Sequence, residues 1–205
     1  MLLQEYLLRQ ALKEYDIVDA EIQIDHKNGK NTVNSIELGI KYPQEYLEKI
    51  STLNQDKLYD YGFVGSLTDG KGRKEILEKY HILNSKISHS SNGRNPKVKY
   101  GFDTEYYQTM VNSKFSLCPG HPAMPKHPNR WTYRFIESAF CRSIPVNFKE
   151  TVYGDNFVKD IFFVWDDDVP CEIKDYNAIV EQNYITAVTR WTLQPSEAEL
   201  IKKNS

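Results

Sequence analysis

Between Lys114 and Phe148 the chain reads KFSLCPGHPAMPKHPNRWTYRFIESAFCRSIPVNF, and two of its residues, Arg134 and Glu137, are spaced for anion chemistry. On a helix, positions i and i+3 are neighbours on one flank. A cation one turn into the helix neutralises a pyrophosphate, and a carboxylate one turn deeper accepts two hydroxyl hydrogens from a ribose. The plain alternative is a surface ion pair worth about 0.3 kcal/mol. The loop ahead of the pair and the buried Ile144-Pro145-Val146 run behind it favour the functional reading. Asn129 is a good cap for that helix, whose first turn then turns unpaired N–H groups and the positive end of its dipole toward phosphate.

His121 and His127 stand in the Pro-rich loop before the helix. Either suits a general base on an acceptor hydroxyl or a donor to phosphate. The competing reading is a rigid loop whose histidines are solvated or packed on Trp131. A two-histidine metal site lacks a nearby carboxylate in sequence to complete its shell.

Such residues need a scaffold. MLLQEYLLRQALKEYD is an amphipathic helix with Leu3, Leu7, Leu8 and Leu12 on one face. Packing on the rest of the protein is preferred for that face over docking on a membrane or partner. Strands are expected in IVDAEIQIDH and SIELGIKY, with Lys27–Asn34 (KNGKNTVN) as the turn between them. Pro43 opens a helix through QEYLEKISTLN. From Tyr59 strands and helices alternate: YDYGFVGSL, then RKEILEKYHIL; SKISHSS, then DTEYYQTMVNS capped by Asp103 or Thr104. KFSLCPG, the Arg134 helix and IPVNF follow, then FFVW and the closing helix DYNAIVEQNYITAVTRWTL. That alternation predicts an α/β, Rossmann-like, mostly parallel sheet with helices on both faces. The expected organisation is a short appendage over 1–58 and one domain over 59–205. Parallel sheets bind ligands beyond the carboxyl ends of their strands. Here those ends carry Gly65, Ser66 and the Thr68–Gly72 turn with Asp69, then Ser90–Arg94, then Pro119–Arg130.

The composition is that of an ordinary globular chain: 205 residues, 40% hydrophobic, 26% charged, net charge −2. No basic field argues for nucleic acid, and Lys71, Arg73 and Lys74 read as solvated surface. The aromatic fraction of 13% fits core packing first and a stacking surface second. Cys118, Cys141 and Cys171 include no CxxC pair, so reduced thiols in a cytoplasmic protein are expected rather than zinc or disulfides. No run approaches the roughly 20 apolar residues of a membrane span, and the N-terminus lacks the basic start of a signal peptide.

The order KFSLCPG…RFIESAFCRSIPV resembles the signature of exostosin-like glycosyltransferases: Phe-x-Leu-x-Pro-x-Gly, Arg-aromatic-x-Glu-Ala, then a small or Cys-containing turn and Ile/Val-Pro-Val. YDYGFVGS with the following RKEILEKY also resembles the opening of that family's nucleotide-binding half. The close match covers Phe115–Val146, and the organisation extends over about 59–165. Ser138 stands where the family has Ala, and the loop Gly120–Arg130 is longer and richer in Pro and His. The resemblance implies the carboxyl-terminal half of a GT-B enzyme that moves a sugar from a nucleotide-diphosphate sugar to a glycan or other hydroxyl acceptor, without metal or further cofactor. Glu137 would hold the ribose and Arg134 the diphosphate, with Arg73 or Arg94 as a second charge. Gly65 and Ser66 would let phosphate approach the backbone. His121 and Asp69 are the candidate bases for a direct displacement, alongside a residue of a missing domain. A GT-B enzyme has a second Rossmann domain for the acceptor, which residues 1–58 are too few to form, so the expectation is a minimal version, a truncated chain, or a partner subunit that supplies the other half. Two alternatives stay open: a non-catalytic nucleotide-sugar or glycan-binding subunit, and a metal-dependent GT-A transferase. The latter would use Asp166 and Asp168, since FFVWDDDV resembles the Asp-x-Asp metal motif of that fold.

Overall fold

The computed structural model describes residues 2–25, 28–67, 73–89, 101–120, 132–148, 160–170 and 172–204. Helix α1 (Leu3–Lys13) buries Leu7, Leu8, Ala11 and Leu12, as its apolar spacing predicts. It packs on a three-stranded antiparallel sheet of β1 (Ile22–Asp25), β2 (Lys30–Val33) and β3 (Ile36–Gly39), in that order. The central strand β2 occupies half of the segment expected to be a turn. Its sequence, KNTV, conceals the alternation because one of its buried positions is polar: Asn31 accepts from Gln4 Nε2 at 2.7 Å and donates to the Gly39 carbonyl at 2.9 Å. The reversal before it is made at Gly29, whose φ of 64° lies in the left-handed region that glycine tolerates. Helix α2 (Gln44–Ser51) starts after Pro43, and the Glu14 carboxylate accepts from its Gln44 and Glu45 N–H groups at 2.9 and 3.0 Å.

Beyond residue 58 the chain builds a second, all-parallel sheet. Strands β4 (Tyr59–Gly65), β5 (Ser85–His89), β6 (Ser113–Cys118), β7 (Ile144–Asn147) and β8 (Val164–Trp165) lie in the order β5-β4-β6-β7-β8. On one face Val64 and Cys118 meet α4 (Thr104–Val111) and α5 (Tyr133–Phe140). On the other, Phe63, Leu117, Ile144 and Val146 meet Leu77 of α3 (Arg73–Glu78) and Val180 of α6 (Tyr176–Trp191). Helices therefore cover both faces of a five-stranded parallel sheet, and the fold is the Rossmann-like α/β arrangement expected. The chain goes outward from β4 to β5, then returns past β4 to β6 and continues to β7 and β8. The order thus reverses between β4 and β6, and the crevice of the fold opens at their carboxyl ends.

Two departures follow from packing. The closing helix expected to end the chain is followed by α7 (Pro195–Lys203), whose Ala198 and Ile201 join α1 and the antiparallel sheet in one core. Residues of α2 likewise belong to the core of the parallel sheet. A boundary at residue 58 therefore does not separate two cores. The second departure is in α5, which starts at Tyr133 behind Thr132 rather than at Asn129. Thr132 is extended, with φ −130° and ψ 137°, and its side chain takes the Arg134 N–H. Among the described residues no helix is long and apolar enough to cross a membrane.

Candidate functional site

Arg134 occupies the first turn of α5, and its side chain crosses the carboxyl edge of the sheet. Nη2 donates to the Val64 carbonyl at 2.7 Å. The guanidinium lies 4.3 Å from the Phe63 ring centre and 5.6 Å from that of Tyr106, residues that belong to the cores on opposite faces of the sheet. Gly65 makes this possible: a Cβ there would come within 2.9 Å of Nη2 and 3.0 Å of the Phe63 ring. Arg134 is only 7% exposed, its Nε has no hydrogen-bond partner, and among the described residues no carboxylate forms an ion pair with it. Contacts to two rings offset part of the desolvation of the charge, on the order of 2 kcal/mol for a desolvated pair. A buried ion costs several kcal/mol in effective terms. A cation held this way, at the point where strand order reverses, is arranged to meet an anion.

Glu137 has the opposite setting. It is wholly buried and accepts from Tyr106 Oη at 2.6 Å and Tyr107 Oη at 2.9 Å, joining α4 to α5. The flank expected to be open is enclosed, since every α5 residue from Arg134 to Phe140 is buried. No ion pair joins Arg134 to Glu137 among the described residues. The two residues are instead linked through Tyr106, which stacks near the one and donates to the other. In this geometry a ribose would reach Glu137 only by displacing tyrosine hydroxyls.

The remaining polar groups of the edge come from five strand ends. Ser66 follows Gly65 and is 9% exposed. His89 ends β5 and pairs in register with Gly65. Its Nδ1 accepts the Leu67 N–H at 3.1 Å, so in the neutral ring the hydrogen sits on Nε2, which is a donor. Cys118 ends β6; burial pushes its thiol up to about 12, with the Arg134 charge acting against that rise, so it is protonated at neutral pH. Asn147 ends β7, wholly buried. Asp166 follows β8, and Lys79 Nζ holds both its carboxylate, at 2.9 Å, and its carbonyl, at 3.0 Å. Among the described residues no group of three or more His, Cys, Asp or Glu side chains could hold a metal ion.

Of the residues expected from sequence, Arg134, Gly65 and Ser66 come together at the end of β4, and Glu137 lies one turn deeper. His121, His127, Asp69 and Arg94 lie outside the described residues. Arg73 opens α3, and its side chain is likewise outside them. Asp168 closes a turn onto the Trp165 carbonyl at 3.0 Å. Sequence reasoning passed over His89 and Asn147, although each was marked by a polar residue closing a strand-like run, SKISH and IPVN. It also passed over Tyr106 and Tyr107, because two adjacent tyrosines on a helix read as packing until their hydroxyl partner is seen. Comparison with models of known protein families and with curated proteins returns no match.

Proposed function

We propose that the chain is a glycosyltransferase of exostosin-like GT-B type, whose parallel-sheet half binds a nucleotide-diphosphate sugar at the carboxyl edge between β4 and β6. The observation that carries this reading is Arg134: a buried, stacked guanidinium with an unpartnered Nε, at the strand-order reversal and beside a glycine that clears space for it. The diphosphate meets that cation, and His89 Nε2–H and the backbone around Gly65 and Ser66 supply further donors. Positive charge fixed there stabilises the leaving nucleoside diphosphate as negative charge develops on it. The acceptor is a glycan or other hydroxyl compound, and the bases proposed to take its proton are His121 and Asp69. His89 does not fit the role of base while Nδ1 is engaged by Leu67, which leaves it a donor to the ligand.

The test is thermal unfolding against UDP and GDP and their sugars, with CMP and a CMP sugar, which carry a single phosphate, as the contrast. A true donor at a hundred times its dissociation constant should add about 2.7 kcal/mol of stability. In Arg134→Met that gain should vanish while the free protein remains folded, because removing an unpaired buried charge relieves desolvation. Arg134→Lys should fall between, keeping charge without the planar fork. No stabilisation of the wild type by any of these nucleotides would sink the proposal. Release of free sugar or transfer in the same samples separates a transferase from a non-catalytic donor-binding subunit.

A further inference from the structure

Asn147 closes β7 with no exposed surface, and neither its Oδ1 nor its Nδ2 has a hydrogen-bond partner. Buried amides are nearly always satisfied, so a wholly orphaned one calls for an explanation. Its location supplies one. Asn147 is in register with Cys118, so the two side chains leave the sheet on the same face. Cys118 Sγ lies 3.7 Å from Ser138 Oγ, and Ser138 Oγ donates to the Arg134 carbonyl. From the register neighbour of Asn147 the contacts thus lead to the first turn of α5, where the Arg134 Nε is also without a partner. Two orphaned polar groups therefore share one edge of the sheet, and they differ in kind. The guanidinium only donates. A carboxamide presents a donor and an acceptor side by side. A phosphate oxygen, which only accepts, would leave Oδ1 unmet and place it against an anion.

We infer that Asn147 is a binding residue for the neutral part of the ligand whose diphosphate Arg134 takes. Its partner is a group that both donates and accepts: a hydroxyl of the sugar or the lactam edge of the base. This rests on the donor-binding reading above and adds to it a residue that discriminates among donors. Keeping an amide without partners in the free protein is a stability cost that ligand binding removes.

The experiment is calorimetric titration of the full chain with pyrophosphate, UDP, UDP-glucose, GDP and GDP-mannose, for wild type and Asn147→Leu, with Tm of each free protein. The expected result is at least a tenfold loss of affinity for the preferred nucleotide sugar, pyrophosphate affinity within about twofold of wild type, and a free-protein Tm unchanged or raised. If the lost contact is to the sugar, the variant binds UDP or GDP as wild type does. If it is to the base, the nucleotide falls as well. Should Leu at this position fail to fold, Asn147→Ala carries the affinity comparison. Affinities that stay within twofold for every probe overturn the inference and leave the proposed function standing. So does a lowered Tm with pyrophosphate and nucleotide affinities falling in parallel, since the amide then serves the fold. A wild type that binds none of the probes, pyrophosphate included, removes the proposed function and this inference together.

Discussion

Arg134 and Glu137 stand one helical turn apart, yet their neighbours give them different work. Arg134 reaches out over the edge of β4, whereas Glu137 turns inward to two tyrosine hydroxyls. Their types and spacing were legible in the sequence; their separation was not, because it depends on where α4 sets Tyr106 and Tyr107. A hydrogen bond to a charged group contributes about 1.5–3 kcal/mol, and a buried hydroxyl stripped of its acceptor costs about 1–3 kcal/mol. Glu137→Ala should therefore lower the unfolding free energy by on the order of 3 kcal/mol in a urea titration. Tyr106→Phe and Tyr107→Phe should each cost less, since each removes one donor and leaves the carboxylate the other. In the Glu137→Ala background each phenylalanine change should cost less than it does in the wild type. If Glu137→Ala leaves stability intact and abolishes nucleotide binding instead, Glu137 is a ligand contact and not the joint between helices described above.

Elements were legible where apolar runs are bounded by strong punctuation. Asp103 caps α4 as expected, its side chain accepting the Tyr106 N–H at 3.1 Å, and Pro43 precedes α2. β2 was missed because one of its two buried positions is polar, and α7 because only Ala198 and Ile201 mark its buried face. The start of α7 is a capping box between Gln194 and Glu197, and that same Glu197 receives Lys41 at 2.8 Å through both carboxylate oxygens. Lys41 Nζ also donates to the Arg190 and Thr192 carbonyls, each at 3.1 Å. Its side chain is 3% exposed, and burial, opposed by Glu197, holds its ammonium below the usual lysine range. One lysine thus ties the segment after β3 to the end of α6 and the start of α7. Breaking a buried pair by removing one partner costs about 3–5 kcal/mol; Glu197 is partly exposed, so Glu197→Ala should fall near or below the low end of that range. Replacing both partners, Lys41→Met with Glu197→Leu, should recover much of the loss. A double variant no more stable than Glu197→Ala in guanidinium unfolding would show that the carbonyl contacts, not the ion pair, hold this junction.

For the molecule as a whole, alternation of strand and helix announced the parallel sheet, and the carboxyl-end rule announced its working edge. How the N-terminal segment joins that sheet was only partly legible: Tyr46, Leu47 and Ile50 pack into its core, and the rest of the joint is made to backbone carbonyls that no side-chain pattern records. Lys57 shows this most clearly. From the linker before β4 its Nζ donates to the Val111 carbonyl at 2.7 Å, the Ser113 carbonyl at 3.1 Å and the Cys141 carbonyl at 3.3 Å, gathering the ends of α4 and α5 and the start of β6. Burial pushes the ammonium down to about 8 from its ordinary 10.5. Between those values the unfolded chain keeps a proton that the folded chain has released, so stability should rise with pH from about 8 toward 10, by up to on the order of 3 kcal/mol across the full window. Tyr80 and Tyr176 act the other way. Burial raises their hydroxyls, so above pH 10 the unfolded chain ionises first and stability falls. Urea midpoints of wild type and Lys57→Met, taken at half-unit steps from pH 7 to 10, isolate the lysine. The difference between them should shift steadily in favour of wild type above pH 8. A difference that stays flat would mean that the three carbonyls hold the proton against desolvation, and the junction would then be a permanently charged one.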